Sequence, residues 1–417
     1  MLRNYKIFII SLFLVQAFSW VSRVEFQYGI PQVVKYLLSI TVLVILIYTW
    51  FRFPSKPLPG GLFYPVLMIF ILYSIILLVS SLLNFNSLFY LQSLLGQKYF
   101  FIPYLLPIII LFTRFDLSFF RDYFHYSFLL LLPAIVMQFS VLMYGVSQTN
   151  WSEQAGRILV FDIGSSFLLM TAHFSRKKYV SYIIIFYFII WIFLWSAFGR
   201  RGMLVELILF FTFMIFIRLR SALVALIERI KMYLAGMLLV FLFIIFGQII
   251  NSSYAFQRGF NKAGFEESRG LVFEDFFADF QSNSDWVFGR GLEGKVLRSI
   301  NPEEGTSSVI ENGFLTVLLK GGLVYLIPFI IILLRASYLG LFRSNNDLVK
   351  GLAALLLIHV LIMFYFNLPE YSARYILIWI SVSTCFNPRL RNYSNREVSL
   401  AINFSDSIKC TLPLWRK

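Results

Sequence analysis

The sequence predicts an all-α fold: a polytopic bundle of about twelve transmembrane helices forming a single domain over residues 1–417, with one long helical loop. Three observations predict it. Mean hydropathy is +0.77, with 59% hydrophobic and only 14% charged residues. Apolar runs of about 20 residues recur, long enough as helices to cross a hydrocarbon core. Loops rich in basic residues alternate along the chain with loops that hold few.

Taken in order, the apolar runs begin near residues 5, 30, 61, 99, 122, 155, 179, 202, 231, 312, 348 and 371, each bounded by charges, Gly or Pro. The fourth is bracketed by Pro103 and Pro107, and the turn after the seventh is the tight Gly199-Arg200-Arg201-Gly202. With the N-terminus inside, the inner loops carry Arg52, Lys56, Arg114, Arg121, Arg176-Lys177-Lys178, Arg218, Arg220, Arg229, Lys231, Arg335, Arg343 and Lys350. The basic tail at 387–417 joins them, so both termini fall on the cytoplasmic side. This asymmetry accounts for most of the +15 charge and excludes nucleic acid as its reason. The two cysteines, Cys385 and Cys410, make no disulfide framework, and His125, His173 and His359 have no ligand spacing, so no metal or cofactor is expected.

Residues 251–311 form the one long loop, on the outer side, with six basic and ten acidic residues among aromatics. From Glu266 to Phe280 the pattern is helical, with Val272, Phe276 and Phe280 on one stripe. Such a helix lies along the membrane face or covers a cavity. The "GRGLEG" stretch at 289–294 follows no strand of a βαβ unit and lacks the P-loop lysine, so it reads as a turn.

Arginines crowd this side: Arg157, Arg200, Arg201, Arg258, Arg269 and Arg290. Guanidinium forks suit phosphate, but any single one also suits a headgroup anchor. Glu206, inside the eighth run, is costly there unless paired or wet. Glu311, where the loop meets the tenth run, is either a carboxylate favoured by a helix N-terminus or a general base; spacing alone favours the first. Asn312 beside it can orient a hydroxyl. Lys320 follows two turns later, and Gly321-Gly322 allows close packing or a break.

The order of runs, the "SAFGRRG" turn at 196–202 and the series "SRG" (268–270), "VFGRGLEG" (287–294) and "ENGFLTVLLKGGLVYLIPF" (311–329) resemble the O-antigen polymerase and O-antigen ligase superfamily of bacterial membrane glycosyltransferases. The resemblance implies a metal-independent, inverting lipid-linked glycosyltransferase of the inner membrane with its site on the periplasmic face. It implies undecaprenyl-diphosphate-linked glycans as donor and acceptor, membrane lipids around them and a chain-length regulator as a further partner. Arg201 and Arg269 match the diphosphate-holding arginines, with Arg200, Arg258, Arg290, Arg157 and Asn312 as further binding residues. Glu311 stands where the ligase has a histidine, which turns the expectation toward the repeat-unit polymerase. The ligase is the nearer alternative, and a lipid or solute transporter the more distant one.

Overall fold

The computed structural model describes residues 5–28, 32–53, 63–84, 99–145, 165–175, 178–197, 201–220, 269–297, 312–364 and 369–403, with isolated positions between 87 and 96 and between 305 and 310. The described residues are helical almost throughout, as the apolar periodicity requires. The helices are α1 (Lys6–Tyr28), α2 (Gln32–Arg52), α3 (Tyr64–Leu83), α4 (Ile102–Leu111), α5 (Leu117–Gly145), α6 (Ser165–Thr171), α7 (Lys178–Ala197) and α8 (Arg201–Arg220). After these come α9 (Arg269–Asp279) and α10 (Asn283–Phe288), then β1 (Val296–Leu297) paired antiparallel with β2 (Thr306–Ser307). The chain continues with α11 (Gly313–Phe342), α12 (Asp347–Ile362), α13 (Ala373–Phe386), α14 (Pro388–Asn392) and α15 (Asn395–Asn403).

The core is built on α13, which packs against α4, α11 and α12. Nearly every one of its side chains is buried, Trp379 and Tyr375 included. Around it, α3 and α10 lie on α11, and α8 lies on α12. Helix starts are fixed by side-chain caps: the Asn312, Asn346 and Ser372 side chains accept from the Leu315, Val349 and Tyr375 amides. Asn346 also donates to the Leu390 and Tyr393 carbonyls, which ties α12 to the C-terminal helices.

The expected span count is corrected here. Among the described residues, three helices are long and apolar enough to cross a membrane: Gln32–Arg52, Tyr64–Leu83 and Gly313–Phe342. The fourth predicted run is a helix of only 10 residues, about 15 Å long. The last is 14 residues, about 21 Å. The ninth, near 231, lies outside the described residues, as does the first half of the sixth. The physical reason is that unbroken apolarity records removal from water, and neighbouring helices remove a side chain from water as well as lipid does. At 16 and 14 residues α12 and α13 fall short of crossing length, and neighbouring helices bury nearly all of their side chains.

The long loop also differs from expectation. Phe276 and Phe280 are buried as the stripe requires, and Val272 has no described side chain. The segment that follows is threaded into the bundle instead of resting on top of it. Helix α11 is not continuous: Gly322 has φ +60°, ψ −168°, so residues 313–321 and 323–342 are two helices joined at a kink. Into that break fits the turn after α10. The Arg290 amide donates to the Leu319 carbonyl at 2.7 Å. Gly289, at φ +72°, passes so close that a Cβ there would lie 2.6 Å from the Gly322 nitrogen. A Cβ on Gly322 would collide with the Val287 carbonyl. Two glycines facing each other, both in the left-handed half of the map, are what this crossing demands.

Candidate functional site

One end of the bundle collects the polar groups. The Gly313 amide donates to the Met363 carbonyl and the Asn312 amide to the Phe364 carbonyl, which brings the start of α11 to the end of α12. The start of α8 joins the start of α13 through an ion pair between Glu206 and Arg374, buried on both sides, with Nη1 and Oε2 2.9 Å apart. Of the inner arginines and glutamates, this pair explains the costly Glu206 of the sequence: it holds an arginine.

The threaded segment occupies the same end. Lys320, 1% exposed, donates from Nζ to the Leu292 and Gly294 carbonyls at 2.6 and 2.8 Å. It thereby satisfies the backbone of the inserted turn. The Tyr73 hydroxyl donates to the Phe288 carbonyl. Tyr73 is the tenth residue of α3, so the inserted backbone reaches about 15 Å along that helix. Beyond it, Glu293 accepts from the Tyr90 hydroxyl, and the Asn84 amide lies 3.5 Å away. Burial first and then Glu293 raise the Tyr90 phenol above its ordinary range.

Arg290, one of the expected phosphate binders, is spent within its own loop. Its guanidinium reaches Asp279 at 2.6 Å and Asp285 at 2.8 Å, donates to the Asp279 and Lys295 carbonyls, and lies over the Phe280 ring. Burial lowers its pKa, but the bonds and charges of Asp279 and Asp285 win and raise it. This is an arginine that organises a turn. Asn312 is likewise committed to the α11 cap and to Phe364. Arg201 and Arg269 are the first residues of α8 and α9, and their side chains lie outside the described residues, as do Arg157, Arg200, Arg258 and Glu311 altogether.

Three groups were not singled out by the sequence: Arg374, Glu293 and Tyr90. None has a local signature, because each acquires its role from a residue far away in the chain. Among the described residues no group of three or more His, Cys, Asp or Glu could hold a metal.

Comparison with known proteins finds no family model, no curated protein and no solved structure that matches this chain. The resemblance to the O-antigen polymerase and ligase superfamily is therefore not supported, and the three crossing-length helices found differ from the many-span bundle it implies. The repeat-unit polymerase reading, with its twelve-span inner-membrane topology, cytoplasmic termini and periplasmic site, is corrected with it. The motifs that suggested the family are short, and in the structure they do local work. "GRGLEG" is a glycine crossing, and "LLKGG" is the break that receives it.

Proposed function

We propose that this chain is anchored in a bilayer by α2, α3 and α11 and binds a lipid whose head group carries hydroxyls, at the polar end of α3. The observation that carries the reading is the outer face of α3. Ile69, Leu72, Ile76, Val79 and Leu83 follow one another at helical spacing and are all exposed. That stripe runs about 21 Å and ends at Asn84, beside Glu293 and Tyr90. An apolar stripe that terminates in a carboxylate, an amide and a phenol matches a ligand with an apolar tail and a head rich in hydroxyls. A carboxylate can accept several hydrogen bonds, and an amide both donates and accepts.

The test is photo-crosslinking in nanodiscs with a tail-labelled, glycerol-headed lipid. Saturable labelling at residues 69–84, competed by unlabelled glycerol-headed lipid but not by choline-headed lipid, is the expected result. The Glu293→Ala, Asn84→Ala double variant should reduce the saturable part roughly tenfold. Labelling that neither saturates nor depends on the head group would reduce the stripe to ordinary bilayer contact and overturn the reading.

A further inference from the structure

The far end of α11 gathers charge of one sign. Arg335 stands about two turns before that end, Arg343 caps it, and Arg391 arrives from α14. Backbone bonds fix the arrival: the Asn345 amide donates to the Arg391 carbonyl and the Asn346 side chain to the Leu390 carbonyl, both at 2.8 Å. The Arg391 guanidinium donates from Nη1 to the Arg343 carbonyl at 3.3 Å. Arg335 is exposed and lies over the Tyr338 ring, 5.6 Å from its centre, and Tyr338 in turn meets Phe342. Burial first lowers the Arg391 guanidinium below its ordinary range, Cys385 opposes this, and the like charges of Arg335 and Arg343 lower it further. Carboxylates of the adjoining helices are engaged elsewhere, Asp347 with Lys350, His173 and Asn395, and Glu397 with Ser394.

Three like charges drawn together repel, and a helix C-terminus offsets only about half a charge. Guanidinium forks are balanced best by phosphate, whose oxygens accept parallel N–H bonds. The neighbouring surface indicates where that phosphate comes from. Ile327, Ile331, Leu334, Tyr338 and Phe342 are exposed at helical spacing along α11, and Arg335 lies among them. An apolar stripe of about 23 Å, closed by an aromatic pair and three arginines, fits a phospholipid. Its acyl chain lies on the stripe, the rings mark the interface, and the phosphate sits among the guanidinium groups. We propose that Arg335, Arg343 and Arg391 form a binding site for the phosphate of an anionic lipid, in the leaflet opposite Glu293. From Lys320, which holds the backbone beside Glu293, to Arg343 is about 35 Å of helix, close to the thickness of a hydrocarbon core. The site rests on α11 crossing a bilayer and is independent of the head-group reading at Asn84.

Native mass spectrometry of the detergent-purified chain tests it, with phosphatidic acid as the probe. The wild type is expected to retain phosphatidic acid roughly tenfold better than phosphatidylcholine, and Arg391→Gln to lose most of that preference. Should Arg391→Gln fail to fold, the Arg335→Gln, Arg343→Gln double variant carries the test, since both of its arginines are exposed. Equal retention of the two lipids by the wild type, or an unchanged preference in the double variant, would make the arginines ordinary anchors and overturn the proposal. Displacement of phosphatidic acid by an equal concentration of inorganic phosphate would assign the site to a free anion and overturn the lipid. Flotation with phosphatidylcholine vesicles checks the crossing by itself. A chain that does not float would sink the bilayer reading and this site together, whereas a floating chain without the preference would sink this site alone.

Discussion

Arg290 and His359 are two polar side chains in opposite circumstances. The arginine sits in the segment that looked most functional in the sequence, and every direction of its guanidinium is taken: two carboxylates, two carbonyls and an aromatic face. The histidine sits in an apolar run that the sequence presents as one more membrane span, and both nitrogens lack a protein partner. A charge in a loop thus proves to be architecture, while a polar group in the core is what remains to be satisfied. Saturation of a side chain's hydrogen-bonding capacity separates the two, and charge or position in the chain does not.

Changes at four positions would break or sharpen this contrast. The largest effect is expected at the buried pair. Arg374→Met should destabilise by about 4 kcal/mol, because it removes a buried charged partner of Glu206, whereas the double variant with Glu206→Met should recover most of that loss. Denaturant midpoints in detergent, followed by circular dichroism, measure both, and a double variant no better than the single would show that the pair is more than mutual neutralisation. Next is Gly322→Val, where a side chain meets the Val287 carbonyl at a left-handed backbone. A loss of about 3 kcal/mol is expected, together with proteolytic release of residues 283–294. A variant with unaltered proteolysis would mean that the inserted turn does not need the glycine crossing.

Arg290→Lys should cost about 2 kcal/mol, since an ammonium cannot hold both aspartates and both carbonyls at once. A neutral outcome would return Arg290 to the set of candidate ligand-binding groups. The last effect is one of pH. Burial first, and then the Arg374 guanidinium, lower the His359 imidazole from its ordinary 6.5 to about 3. Below about pH 6.5 the unfolded chain takes up a proton that the folded chain refuses, so this group's contribution falls as pH falls toward 3 and is flat above 6.5. The stability difference between wild type and His359→Gln should therefore narrow on acidification, and a difference independent of pH would indicate a charged or solvent-open imidazole in the folded state.

Much of the local structure was legible in the sequence. Periodicity located the starts of α2, α3, α11 and α13 to within a few residues. It also marked Phe276 and Phe280 on one stripe, while residue chemistry marked Gly321-Gly322 for close packing or a break and Glu206 as needing a partner or water. What could not be read was which apolar runs cross a bilayer and which are enclosed by other helices, because both environments select the same side chains. The candidate site was less legible still. Asn84, Tyr90 and Glu293 meet across about 200 residues, and no spacing rule reaches that far. The arginine-rich surface misled for a related reason: a sequence shows that a charge is present but not that Asp279 and Asp285 already neutralise it.

The break in α11 has a mechanical consequence. The nine residues from Gly313 to Gly321 are joined to the threaded turn by the Lys320 bonds and the Leu319 carbonyl, and to the end of α12 by the Gly313 amide and Asn312. Gly322 is thus a joint fastened on both sides, where a helix gives up its own continuity to take another segment's backbone as a wedge.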